Sequence, residues 1–201
     1  MTARTEGRTY TNALQIAQEG KGIPYGGTGE LRPDGDANYG FKNLKGHLER
    51  LADIPELARD EALRDIVTSL NLPDSAFGTV GCVSGLVDEK EGHRVTGYVE
   101  FAFDSAERIA DASNYFPMFF HFDRALHDMK FDDKVHYHWE LMGGEFVYAR
   151  ASGFTMTVTV NTGWYETAED AGIAWANGLD FLAGFLRHIQ PAGGTPIFVD
   201  G

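Results

Sequence analysis

One cysteine, Cys82, stands among 201 residues, so no disulfide can close within the chain, which suits a reducing compartment. Basic residues are scarce relative to acidic ones: 17 Lys and Arg face 30 Asp and Glu, a formal net charge of −13. Nucleic-acid binding needs a Lys/Arg footprint, and no basic run supplies one, so that class is excluded. An anionic membrane surface is disfavoured on the same ground. Long apolar runs are missing too. A spanning helix takes roughly 20 apolar residues, whereas the most apolar run, Tyr115–Phe122, is short and contains Pro117. The opening residues carry no apolar signal core, and the expected location is cytoplasmic. What is present is globular composition, 43% hydrophobic and 23% charged, which separates the chain from disordered sequences. The length fits one core.

Residues 1–40 stand apart. Gly20, Gly22, Gly26, Gly27, Gly29, Gly35 and Gly40 crowd together with Pro24 and Pro33. Such a stretch is costly to order and offers little to bury, so it reads as an arm or extended loop, with room for a short helix or strand around Tyr10–Gln18. Residues 41–201 read as a single α+β domain. Leu44, Leu48 and Leu51 mark one helical face, interrupted at Pro55. Asp60 is placed to cap a second helix with Leu63, Ile66, Val67 and Leu70 on its apolar face. Ala76–Val87 and Arg94–Phe103 read as a hairpin around a polar turn ending at Gly92. Asp104 and Glu107 have capping-box spacing for a helix running to Met129, kinked or split at Pro117, with Asn114 placed to cap its second half. Lys134–Leu141 alternates, Gly143-Gly144 suits a hairpin turn, and Glu145–Arg150 and Phe154–Val160 follow as strands. Thr167 and Asp170 open a last helix with Trp175, Leu179, Leu182, Leu186 and Ile189 on one stripe. The expected architecture is a five-stranded antiparallel sheet in the order α-β-β-α-β-β-β-α, preceded by an extra helix and the Gly-rich arm.

That order over residues 60–190 resembles the roadblock/dynein-light-chain family, related to longin and profilin-like folds. The local texture carrying it is Phe77-Gly-Thr-Val-Gly-Cys-Val-Ser-Gly-Leu-Val-Asp, then Gly144-Glu-Phe-Val-Tyr-Ala-Arg and Phe154-Thr-Met-Thr-Val-Thr-Val. The resemblance implies a homodimeric, non-enzymatic scaffold that associates with small GTPases. Residues 1–55 and the proline-split middle helix depart from the pattern. Helix-grip (START-like) and NTF2-like domains share part of the order, and either would enclose an apolar pocket, with Tyr137, Trp139, Phe146, Tyr148 and Met156 as its lining.

Among candidate sites, His136, His138 and Glu140 share one strand face, a donor set able to hold Zn or Fe, with His121 and His127 near in sequence. The alternative is a solvated strand face. Cys82 sits among small and apolar residues and reads as a buried thiol. Asp123, Asp132 and Asp133 are candidates for paired-carboxylate chemistry. Gly20-Lys21-Gly22 lacks the rest of a phosphate-binding loop, and Gly81–Gly85 is not a nucleophile elbow. Tyr115, Phe116, Phe119 and Phe120 cannot all face one core at helical spacing. They read as buried within the chain, some of them under the Gly-rich arm, or else as the candidate surface for a second copy or a protein partner.

Overall fold

The computed structural model describes residues 10–27, 29–31, 37–129, 131, 133–191 and 193–201. The chain is α+β, built on a five-stranded sheet. Strand β1 (Tyr10–Ile23) opens the fold, followed by a two-residue ribbon of β2 (Glu30–Leu31) and β3 (Ala37–Asn38). Helices α1 (Pro55–Arg59) and α2 (Glu61–Leu70) precede the hairpin of β4 (Phe77–Glu89) and β5 (Gly92–Phe103). Helices α3 (Ala106–Ile109) and α4 (Phe116–Asp128) lead to β6 (Val135–Phe146) and β7 (Ala151–Thr162), and α5 (Ala168–Arg187) follows. The order across the main sheet is β1-β6-β7-β5-β4.

The sheet is mixed, not antiparallel throughout. β1 runs parallel to β6, from Tyr10 beside Val135 to Ile23 beside Phe146, while the other pairings are antiparallel. Most of the described part of the Gly-rich segment is therefore a strand of the main sheet. The strand count of five is met differently from expectation. Gly143 and Gly144 do not turn; they continue β6, with Gly144 beside Gly153 of β7 and neither at positive φ. The reversal comes later, at Val147–Arg150, where Arg150 takes φ 52. What was expected as two strands is one long strand, and β1 supplies the fifth.

Capping chemistry explains the helix boundaries. Asp60 caps α2 through Oδ1, which accepts the Leu63 N–H at 2.9 Å, and its Oδ2 accepts the Trp175 indole N–H at 2.8 Å. One carboxylate thus starts α2 and ties it to α5, and such a cap is worth about 1 kcal/mol. Pro55 does not interrupt a helix but begins α1, since its missing N–H costs nothing in the first turn. Leu48–Asp53 is a short 3₁₀ segment, and Leu44 is buried outside any helix. Pro117 likewise sits in the first turn of α4. Asn114 does not cap α4; its side chain donates to the Arg108 carbonyl at 2.9 Å. The cap of α3 is Ser105, one residue past the expected Asp104. Asp104 instead accepts the N–H groups of Ile197 and Phe198 at 2.9 and 3.3 Å.

All the long helices lie on one side of the sheet. Val99 and Phe101 of β5, Tyr137 and Trp139 of β6 and Val158 of β7 meet Leu63 and Val67 of α2, Phe122 of α4 and Leu179 and Leu182 of α5, all essentially without exposure. The C-terminal residues close one end: Phe198 stacks on Phe41 at 6.5 Å and meets the edge of Phe146 at 5.9 Å.

Glu107 latches this tail. Its own N–H, then the Thr195 N–H and the Ser105 and Thr195 hydroxyls, hold its carboxyl down from an ordinary 4.5 to about 2. A value depressed by folding contributes stability that is present above the unfolded value and lost as the pH falls through the folded one. The docking of residues 195–198 is therefore expected to hold above about pH 4.5 and to loosen toward pH 2. Amide exchange at Thr195, corrected for intrinsic rate, should show this release, and Glu107→Gln should show it already at neutral pH. Unchanged protection in that variant would remove the latch.

Candidate functional site

The expected metal face is where alternation puts it. Val135, Tyr137, Trp139 and Leu141 point into the core, and His136, His138 and Glu140 lie on the opposite face, away from the long helices. The neighbouring strand draws two of the three sideways. His136 Nδ1 hydrogen-bonds the Thr11 hydroxyl at 2.8 Å, and Glu140 accepts from Gln15 at 3.3 Å. His121 and His127 are exposed on α4, on the other side of the sheet, and do not join them. Among the described residues no group of three or more His, Cys, Asp and Glu is placed to hold a metal ion. Of the carboxylates, Asp123 accepts from Asn12 and Asp133 from Asn177. Asp132 lies outside the described residues.

Burial pushes the Cys82 thiol up to about 12, and Glu56 and Asp60 act in the same direction. That favours the neutral thiol at neutral pH and disfavours nucleophilic attack. The proposed pocket lining is solid core: Tyr137, Trp139, Phe146 and Met156 are at most 2% exposed, and only Tyr148 faces solvent. The Tyr137 hydroxyl donates to the Gly178 carbonyl at 3.1 Å, and burial raises its pKa.

Two hollows remain. One, behind β4 and lined by Tyr25, Leu44, Cys82 and Tyr98, measures about 60 Å³. That is room for about two waters, far below the roughly 300 Å³ from which ligand sites begin. The other is an open groove of about 770 Å³ between the outer end of β4 and α1, α2 and α5.

The aromatic set on α4 divides. Tyr115 is wholly buried, and its hydroxyl donates to the Phe154 carbonyl at 2.6 Å. It is a core residue and leaves the list of surface candidates. Phe116 and Phe119 are half-buried against the core, Phe119 edge-on to Trp139 at 6.3 Å. Phe120 is 65% exposed and Met129 68%. Asp123, three residues from Phe120 on the same stripe of the helix, reaches Asn12 of β1, so this stripe borders the sheet edge. On the same side of β1 as Asn12 lie Leu14 and Ile16, the latter 59% exposed. The result is an edge strand of 14 residues flanked by exposed apolar side chains.

Among the described residues, the face away from the long helices holds a buried ion pair. Glu100 of β5 is 3% exposed and is bonded to the Lys21 ammonium of β1, which also sits 5.0 Å from the centroid of the Tyr25 ring. Two strands lie between β1 and β5. Three strand spacings amount to about 14 Å on a flat sheet, so the pair takes two long side chains reaching toward each other across β6 and β7. The sequence reading missed Lys21 and Glu100, as well as β1 as a sheet edge. The available signal for the latter was the apolar alternation Tyr10, Leu14, Ile16, diluted by Asn12 and cut short by the glycines. No known protein family, curated protein or solved structure matches the chain.

Proposed function

We propose that this protein is a non-catalytic interaction domain that works as a homodimer, with the second copy docking on the β1 edge and the α4 rim beside it. The carrying observation is the pairing of an edge strand with exposed Phe120 and Ile16. Natural sheets blunt their edges with charge, proline or cover, because an open edge recruits another strand. Here apolar side chains flank the edge, which suits a partner that supplies both a strand and an apolar face. The α4 rim is the part of the Tyr115–Phe122 segment that remains available once Tyr115 is assigned to the core. The resemblance to roadblock proteins supports the same reading and supplies a partner class, small GTPases, for the assembled dimer.

Light scattering coupled to size exclusion, run over a concentration series, tests it. The expected result is a dimer whose population rises with concentration, and a monomer for Ile16→Lys/Phe120→Glu with an unchanged far-ultraviolet spectrum. A wild-type chain that stays monomeric over the series would overturn the reading.

A further inference from the structure

We infer that the opposite edge of the sheet is a second docking site, at which β4 takes up an extended, basic segment of a partner protein as an added strand. The proposal does not depend on pairing at β1, which lies four strands away.

The outer edge of β4 changes character along its length. In its first half the backbone is engaged: the Thr79 N–H donates to Asn71 Oδ1 at 3.1 Å, the Phe77 carbonyl accepts from Lys45 at 2.9 Å, and the Val80 carbonyl accepts from the Tyr25 hydroxyl at 3.0 Å. From Val83 to Glu89 no such cover is found among the described residues. Among the described residues the only strand beside this half is β5, on the inner side. Val83–Leu86 of this half form one wall of the 770 Å³ groove.

The groove's composition selects its occupant. Its floor is apolar, with Val95 and Trp175 buried and Leu86 56% exposed beside them. Its charged rim is Glu56, Arg59, Asp60 and Glu61, three acids against one base. An extended segment alternates its side chains, so apolar ones can meet the floor while basic ones meet the rim. Main-chain hydrogen bonds to the free edge supply affinity that is independent of side chains, as in other strand-addition sites. The charge of the whole chain, −13, steers a basic partner toward it and repels an acidic one.

Two glycines of α5 make the test clean. A side chain added at Gly172, on the groove wall, meets nothing within 4 Å, and the same is true at Gly184, which is not part of the groove. Neither has a positive φ, so a larger residue fits the helix at both. Gly172→Phe fills the groove; Gly184→Phe is the matched control. The probe is a fluorescein-labelled peptide alternating Lys and Val, with one alternating Glu and Val as its counterpart, followed by anisotropy at low salt. The Lys peptide should bind wild type and Gly184→Phe alike, and Gly172→Phe at least about tenfold more weakly, with amide protection gained over residues 83–89. Equal weakening by both variants, equal binding of the Glu peptide, or no binding of the Lys peptide to wild type would each overturn the proposal.

Discussion

Phe122→Ala is expected to destabilise the fold by about 4 kcal/mol, within the range for truncating a buried aromatic residue. Phe122 has no exposure, and its ring meets Tyr137, Trp139, Phe181 and Phe185 at 4.9 to 5.4 Å. Four aromatic partners from β6 and α5 converge on one side chain of α4. These rings are rigid, so the vacated space cannot be refilled by small rotamer changes. Urea unfolding followed by far-ultraviolet circular dichroism measures the effect, with the midpoint falling by roughly 2 M if the slope is about 2 kcal/mol per molar. Phe120→Ala, two residues along and exposed, should stay within about 0.5 kcal/mol at concentrations below dimerisation. A loss under about 1.5 kcal/mol for Phe122→Ala would mean that α4 is not anchored by this ring, and the exposure of Phe120 would lose its meaning as a surface.

Lys21→Met carries an expected cost of similar size, about 3 to 5 kcal/mol, for a different reason. The substitution keeps the length and apolar stem of the side chain but removes the charge that faces Glu100. Glu100 is then left buried without its ion partner, and its Oε1 already has no hydrogen bond among the described residues. The penalty comes from the stranded carboxylate, so Lys21→Met/Glu100→Met should recover most of it. A double-mutant cycle separates the two contributions. If the double variant is as unstable as the single one, the packing of Lys21 on Tyr25 matters and the charge does not. The pair also clamps the first strand to the fourth in spatial order. Its loss is expected to loosen β1 first, seen as faster amide exchange over residues 10–23 than in β7.

Strong local signals were readable in the chain. Asp60, the β4–β5 hairpin with Gly92, and the Thr167 start of α5 are set by capping, turn chemistry and apolar periodicity, which act over a few residues. Errors arose where tertiary context decides. Gly143-Gly144 has turn chemistry, but β6 runs on because β1 and β7 flank it on both sides. Pro55 and Pro117 signal breaks, yet each sits in a first turn, where proline is accepted. Tyr115 and Phe120 are indistinguishable by composition, and only the helix phase relative to β6 buries one and exposes the other. His136, His138 and Glu140 were correctly placed on one face, but their hydrogen bonds to Thr11 and Gln15 depend on a strand far away in sequence. The Lys21–Glu100 pair has no sequence signature at all, since its members are 79 residues apart and come from strands that are not neighbours in the sheet.

The parallel pairing of β1 with β6 has a consequence for how the protein is made. Thr11 and His136 are separated by 125 residues, and nothing nearer in sequence pairs with the first strand in the main sheet. Translation at roughly 5 to 20 residues per second leaves that segment without its partner for about 6 to 25 s after it emerges. The hairpin and α2 can assemble meanwhile, but the opening strand must wait with both edges bare. Long-range closure of this kind slows folding. Apolar residues sit mainly in the first half of that waiting segment, and its second half, Gln18-Glu19-Gly20-Lys21-Gly22, is polar or glycine throughout. That polar half gives the waiting strand little to collapse with until β6 leaves the ribosome.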